Sequence, residues 1–267
     1  MKINTISEIE KSLKKVKLQQ GSSCLLHSSL INFGLIKNVP TNSIPKTIFE
    51  LINKRLGKRG TLSAVTPDYN YVKKNVSFDI KTRNVAREFG TMSEFICKHS
   101  GSYRSLNPLF NTSSVGKNAK FITSGNTPSA FGEDSAWDRL FKLNSEILFL
   151  GCDISICTFI RFIEFRFGVP YLYNKFFNKK IYSNNKIFSR YSTSFLRYKH
   201  CLIEYDLSNF RKLLLKKKVL RLSENGVDLK VLSMQACYEI GIEALKKDVF
   251  FFLKKKPKFK KKMVPLI

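Results

Sequence analysis

The segment of residues 146–173 places one acidic and one basic side chain three residues apart in a helical pattern, as Glu164 and Arg161. Residues three apart share one side of a helix, so the two side chains are expected to meet. A carboxylate held just beyond a strand end is well placed to accept a proton from a substrate. The alternative is a solvated ion pair on an ordinary helix.

A second set of polar groups lies early in the chain, where the sequence His27-Ser28-Ser29-Leu30 ends a predicted strand. Backbone N–H groups exposed at such a turn bind phosphate oxygens, and the hydroxyls of Ser28 and Ser29 are further donors. The turn therefore predicts an anion site. The alternative is that His27 is simply a hydrogen-bonded histidine at a strand end.

The elements that must position Arg161 and Glu164 are a short strand and a helix. The apolar run 147–150 is too short for a surface helix and predicts a buried strand, which Gly151 ends. From residue 156 apolar residues recur at three and four residues, which predicts a helix that ends near Gly168 and Pro170.

The rest of the chain alternates in the same way between helical and strand patterns. The predicted helices span residues 7–17, 45–56, 84–98, 137–143, 207–215 and 231–253. The predicted strands span residues 25–30 and 60–66, with another beginning at residue 114. This order predicts an α/β layer fold, organised as a single domain over residues 1–253.

Residues 174–200, called the lid segment below, mix basic and aromatic side chains without a steady period. They predict a loop-rich insertion. It is either a solvated cover with buried aromatic rings or a lid whose Lys179, Lys180 and Arg190 contact a substrate phosphate. The basic tail, residues 254–267, is predicted to be disordered.

Composition excludes several classes of protein. The chain has 267 residues, 43% of them hydrophobic, but no apolar run near the roughly 20 residues that span a bilayer, and its first residues resemble no signal peptide. A cytoplasmic protein is expected. The six cysteines show no CxxC pair and predict reduced, mostly buried thiols, and the three scattered histidines predict no metal site.

The net charge of +27 indicates anionic ligands, and the body without the tail's seven lysines still carries +20. Base readout favours arginine, whereas the chain has 35 lysines and only 12 arginines. A specific nucleic-acid partner is therefore not expected.

Five stretches together resemble the aminoglycoside 3-N-acetyltransferase family, in the same order along the chain. The fifth lies in residues 146–173, where LG is followed by Thr158, Arg161 and Glu164. The other four are LLHSSLINFGLI (25–36), GTLSAVTPDYNY (60–71), RSLNPLFNTSSVG (104–116) and AFGEDSAWDRL (130–140).

The resemblance implies a mixed central sheet flanked by helices, unrelated to the commoner acetyltransferase fold. It implies acetyl-CoA, or another acyl-CoA, as co-substrate, with His27, Ser28, Ser29 and Leu30 binding the coenzyme. Arg104 and Ser105 match the family's arginine-serine pair near the pantetheine arm, although a structural turn arginine is the alternative.

The chain departs from the family at the general base. Relatives usually carry histidine at the position of Arg161, and many carry histidine at the position of Asn107. Arginine stays charged and cannot accept a proton. Proton removal therefore passes to Glu164, to Glu204 in a stretch resembling the family's acidic segment, or to His200, or else the chain binds without catalysing.

These observations predict an acyl-CoA-dependent N-acetyltransferase acting on the amine of an amino sugar. A strongly basic body favours an anionic acceptor, such as a nucleotide-linked sugar for surface polysaccharide, over a polycation. Acetylation of aminoglycoside antibiotics is the alternative that the family name indicates. A noncatalytic anion or nucleic-acid binder is the third possibility. The oligomeric state stays open.

Overall fold

The computed structural model describes residues 2–198, 201–223 and 226–259. The strands are β1 (Ile3–Asn4), β2 (Ser23–Ser28), β3 (Leu35–Ile36), β4 (Thr61–Val65), β5 (Phe78–Asp79), β6 (Tyr103–Arg104), β7 (Thr112–Gly116), β8 (Glu146–Leu150), β9 (Leu172–Phe177), β10 (Ile181–Ser183), β11 (Lys186–Ser189), β12 (Ser192–Arg197), β13 (Arg221–Leu222) and β14 (Leu229–Ser233). The helices are α1 (Ile6–Lys15), α2 (Leu30–Phe33), α3 (Ile44–Leu56), α4 (Asn70–Lys73), α5 (Gly90–Lys98), α6 (Ala119–Thr123), α7 (Ala136–Lys142), α8 (Ile160–Phe167), α9 (Ser208–Lys216) and α10 (Met234–Lys247).

A seven-stranded mixed sheet forms the centre of the fold, in the order β13-β14-β8-β2-β4-β7-β6. The central strands β8, β2 and β4 run parallel. The strands outside them, β14 on one side and β7 and β6 on the other, pair antiparallel. This confirms the expected mixed α/β fold.

Helices cover both faces of the sheet because side chains alternate along each central strand. Leu25 of β2 and Phe149 of β8 face one core, in which α7, α8 and α10 pack. Cys24 of β2 and Leu148 of β8 face the other core, in which α1, α3 and α5 pack. Both sides of these strands are covered, since every residue of β4 and β8 and all of β2 except Ser28 are buried.

Most predicted elements lie within one or two residues of their observed bounds, but three helices differ. The helix predicted from residue 84 begins at Gly90, whose positive φ of 77° separates it from a short 3₁₀ turn at Arg87–Phe89. The helix predicted from residue 156 begins at Ile160, after a 3₁₀ turn at Ile154–Ile156.

The third difference is at residues 231–253, which were expected to be helical throughout. Residues Leu229–Ser233 instead form β14, which pairs along the whole length of β8. The helix α10 starts only at Met234, where the hydroxyl of Ser233 accepts a hydrogen bond from the N–H of Ala236. Pairing with a buried strand outweighed the helical pattern of this segment.

The lid segment is not rich in loops, so that prediction is wrong. Its residues form most of β9 and all of β10, β11 and β12; β9 pairs with β12, and β10 pairs with β11 and β5. The basic and aromatic residues that lacked a helical period lie two residues apart on the same faces of these strands, as Lys175 does with Phe177, whose ring centroid is 5.1 Å from the Lys175 Nζ. Whether the segment closes over a ligand stays a prediction.

The predicted disorder of residues 254–267 is wrong for residues 254–259. The Lys254 ammonium is 3.6 Å from Glu204, and the ring of Phe259 packs edge-on against Tyr198. Residues 260–267 lie outside the described part. All six cysteines are buried, as expected.

Across the described ranges no helix is long and apolar enough to cross a bilayer. No cluster of three metal-ligating side chains occurs among the described residues either. The cytoplasmic location and the single-domain organisation stay predictions.

Candidate active site

The Glu164 carboxylate lies at the centre of a buried cluster of four side chains on one face of the sheet. Both of its oxygens accept hydrogen bonds from the Tyr205 hydroxyl, at 2.8 and 2.9 Å. The Tyr171 hydroxyl donates to one of them at 2.7 Å, and Arg161 Nη1 donates to the other at 3.2 Å. Glu164 is fully buried, so any substrate must reach it through a neighbour.

Arg161 is the partly exposed cation of this cluster. Its side chain is 16% exposed, its Nη1 also donates to the Tyr205 hydroxyl, and its guanidinium lies over the Tyr205 ring, 4.6 Å from the centroid. The three-residue spacing of Arg161 and Glu164 correctly predicted that their side chains meet. The solvated surface pair is excluded because the acid has no exposed surface.

Burial determines the proton affinities in the cluster. Desolvation raises the pKa of Glu164, opposed by the Arg161 charge and by the hydrogen bonds from Tyr171 and Tyr205. Burial and the nearby carboxylate likewise raise the pKa of the Tyr205 phenol. Glu164 is therefore a stronger base than an ordinary surface glutamate, and Tyr205 stays a neutral donor.

The turn predicted to bind an anion is built where β2 meets α2. The N–H of Ser29 donates to Leu150 O at 2.9 Å, and the Ser29 hydroxyl accepts from Asn32 N at 3.4 Å, so Ser29 caps α2. Gly151 packs directly against this turn with a φ of 64°. The end of β8 thus fixes the end of β2 and holds Ser28 and Ser29 half-buried at the surface.

His27 faces the core that contains α8 rather than the turn at Ser28 and Ser29. Its ring stacks on Phe149 at 5.4 Å, it is 7% exposed, and its buried Nε2 has no hydrogen-bond partner within the described residues. The neighbouring Cys157 thiol contacts both Cys237 and His27. Contact with Cys237, with a smaller contribution from His27, lowers the pKa of Cys157 to about 5.

We expect Ser29→Asp to weaken acyl-CoA binding at least about tenfold, because the added carboxylate would repel a pyrophosphate at this turn. Ser29→Asn is the matched control, because asparagine and aspartate are equally good helix N-caps and differ by the charge. Calorimetric titration with CoA measures both. Equal affinities for CoA in the two variants would remove Ser29 from the coenzyme site.

Arg104 has a structural role in the fold. Its guanidinium donates to the backbone oxygens of Thr66, Asn84 and Thr82, and its Nε donates to Asn111. These bonds hold the loop before α5 against the sheet. They favour the structural alternative for this arginine over contact with the pantetheine arm.

Ser105 and Asn107 also bind the protein's own backbone. The Ser105 hydroxyl accepts from Thr112 N at 2.8 Å. The Asn107 amide donates to Pro128 O at 3.1 Å and to Thr193 O at 3.0 Å, which ties β12 to the body. Asn107 therefore holds the lid segment against the body of the protein.

The three predicted lid cations do not share one environment. Lys179 Nζ donates to Tyr71 O at 2.6 Å and lies over the Tyr71 ring, and burial lowers its pKa, so it anchors the segment. Lys180 and Arg190 are exposed. A fourth cation, Arg197 at the end of β12, acts electrostatically on Tyr205 and donates to Ile203 O.

The other predicted acid and histidine lie elsewhere. The Glu204 side chain is 40% exposed and turns toward Lys254, whereas the next residue, Tyr205, turns toward Glu164. His200 lies outside the described residues. The sequence analysis did not identify Tyr171 or Tyr205 as site residues. Tyr205 could have been found, because it directly follows the predicted acid Glu204.

The family model of aminoglycoside 3-N-acetyltransferases matches residues 25–246. The chain belongs to this family. No single curated protein is similar enough in sequence to count as a match. Among solved structures, AAC-IIIb in a binary complex with CoASH has a TM-score of 0.76 at 18% identity, covering 96% of this chain and 100% of that one.

Two further solved structures are similar to the same extent. AAC-VIa bound to sisomicin has a TM-score of 0.75 at 16% identity, covering 92% of this chain and 98% of that one. The YokD protein from Bacillus subtilis has a TM-score of 0.76 at 15% identity, covering 93% and 96%. At these identities the likeness confirms the fold alone, so substrate and residue roles must be argued from the site.

Proposed function

We propose that this protein transfers an acyl group from acyl-CoA to the amine of an amino sugar. The observation that carries the proposal is the Glu164 cluster, a buried base in a chain of an acetyltransferase family. The co-substrate supplies an acyl group activated as a thioester. The half-buried turn at Ser28 and Ser29, called the coenzyme turn below, fits the binding of its phosphates: Ser29 caps α2, and Gly151 packs against the turn.

The chain must remove one proton during the reaction. The amine nitrogen forms a bond to the thioester carbonyl carbon, the carbon–sulfur bond breaks with its electron pair leaving on the coenzyme A thiolate, and the nitrogen loses a proton, while the thiolate gains one to become the thiol. Arg161 cannot accept it. The half-buried Tyr205 hydroxyl contacts Glu164 and passes the proton by taking it from the amine while giving its own to the carboxylate.

Arg161 holds this path in place and adds a positive charge at the site. It donates to both the Tyr205 hydroxyl and Glu164, whose charge it offsets, and Arg197 then adds a positive charge, uncompensated within the described residues, that acts on Tyr205. Such a site favours an acceptor that carries an anionic group. This supports an amino sugar linked to a nucleotide, as used in making surface polysaccharide.

An aminoglycoside acceptor is the second candidate, and the relatives favour it. AAC-VIa was solved with sisomicin, and another family structure contains a gentamicin. A polycation would have to bind beside two arginines in a chain of net charge +27.

One assay separates the candidates. The protein is mixed with acetyl-CoA and neutral, cationic or nucleotide-linked amino sugars, and thiol release is followed. Turnover of the nucleotide-linked sugar is the expected result, and faster turnover of sisomicin or gentamicin would assign the aminoglycoside function. CoA binding without turnover of any acceptor would favour the noncatalytic binder. Steeply salt-dependent binding to DNA, without CoA binding, would also favour it.

Reversing the two exposed lid charges tests the acceptor's charge. If the lid segment contacts an anionic acceptor, Lys180→Glu with Arg190→Glu should raise its KM about tenfold, with a larger effect at low salt. Lys179 is left intact because it anchors the segment. The double variant Lys11→Glu, Lys14→Glu on the exposed face of α1 makes the same change in net charge far from the site. An equal effect of both double variants on KM would contradict a lid contact.

A further inference from the structure

A cleft of about 390 Å³ opens between the loop after Thr82 and the first turn of α5. It adjoins the coenzyme turn, because a Cβ placed on Gly90 would lie 3.9 Å from the carbonyl oxygen of Ser28. The charged residues that line it are Arg83, Arg87, Glu94 and Lys98. None of these residues takes part in the chemistry described above.

The cleft has a surplus of positive charge. Glu94 and Lys98 form an ion pair at 2.5 Å and offset each other. Within the described ranges neither Arg83 nor Arg87 has a carboxylate within 4 Å. The cleft therefore carries two uncompensated guanidinium groups.

Arg83 also has unused hydrogen-bonding capacity. Its buried Nη1 has no partner in the described structure, and its Nη2 makes only a long bond of 3.4 Å to Ser102 O. It lies near Arg104, whose pKa is lowered by burial and, to a smaller degree, by the Arg83 charge. A buried donor without a partner is costly, and an anion in the cleft would satisfy it.

The ligand chemistry follows from these groups. Guanidinium forks match the oxygens of a phosphate, and a phosphate monoester offers three acceptor oxygens and close to two negative charges. Resting on the proposed function, we infer that this cleft binds the 3′-phosphate monoester on the ribose of coenzyme A. The pyrophosphate at Ser28 and Ser29 would then lie on the Gly90 side of the cleft.

The test compares CoA with dephospho-CoA, which lacks only that phosphate, by calorimetric titration. Wild-type protein should bind CoA at least about tenfold more tightly. Arg87→Gln and Arg83→Gln should each reduce this preference severalfold and leave the affinity for dephospho-CoA unchanged. Arg59→Gln, which removes an exposed charge outside the cleft, should keep the full preference for CoA over dephospho-CoA. Arg87 is exposed, so its variant tests the cleft even if Arg83→Gln unfolds the protein.

The outcomes separate this inference from the proposed function. Equal binding of CoA and dephospho-CoA by the wild type, or an unchanged preference in Arg87→Gln, overturns the phosphate site while acyl-CoA use survives. If neither coenzyme binds, the proposed function fails as well. If the arginine variants instead weaken binding of a uridine-diphosphate amino sugar alone, the cleft serves the acceptor and the assignment to the coenzyme is wrong.

Discussion

Replacing Glu164 with glutamine should lower kcat/KM for thiol release about 100-fold or more, because the amide cannot take up the proton passed on by Tyr205. Glutamine keeps the size of the side chain, and its oxygen still accepts a hydrogen bond. Wild-type activity should fall on the acid side as Glu164 becomes protonated. Because burial raises this pKa, the fall should begin above the usual value near 4.3, and the variant should lack this limb.

Two further variants test whether Glu164 and Tyr205 transfer the proton or only stabilise the fold. Tyr205→Phe keeps the ring under Arg161 and removes only the hydroxyl, so a loss close to that of Glu164→Gln is expected. Glu204→Gln removes the neighbouring exposed acid and tests the other predicted base. A larger loss in Glu204→Gln than in Glu164→Gln would assign the base to Glu204. Unchanged turnover in Glu164→Gln would remove Glu164 from the mechanism.

The central sheet and its covering helices were predictable because their apolar residues recur at the positions that are buried. The apolar run 147–150 of β8, the apolar residues of β2 and β4 and the apolar faces of α1 and α3 follow directly from the two cores. The lid segment was not predictable in this way. Its strands are short and partly exposed, and their pairing is fixed by distant contacts such as Asn107 with Thr193.

The site was predictable only where its contacts are local. The pair Arg161 and Glu164 follows from helix spacing, but the hydroxyls that complete it come from Tyr171 and Tyr205, seven and 41 residues further along the chain. A matching motif also misleads about roles. Arg104 fits the family's arginine-serine pair, yet its guanidinium is used by the backbone of its own protein.

Gly151→Ala should destabilise the protein by about 3 kcal/mol and weaken CoA binding. The φ of 64° costs a non-glycine residue about 1 kcal/mol. The added Cβ would lie 2.6 Å from Phe33 N and 2.8 Å from Phe33 Cβ, and closer still to Ser29 O. Backbone at both ends of α2 must then shift, which adds about 1–3 kcal/mol of overpacking.

Gly168→Ala separates the two costs in the same protein. Gly168 ends α8 with a φ of 79°, and a Cβ there would meet nothing within 4 Å, so only the backbone cost of about 1 kcal/mol applies. Chemical denaturation gives the free energy of unfolding of both variants, and titration with CoA gives the affinity. Since Gly151 supports the turn that carries Ser29, only its variant should lose coenzyme affinity. Equal loss of stability in the two variants, with CoA affinity retained in Gly151→Ala, would show that the end of β8 does not hold the coenzyme turn.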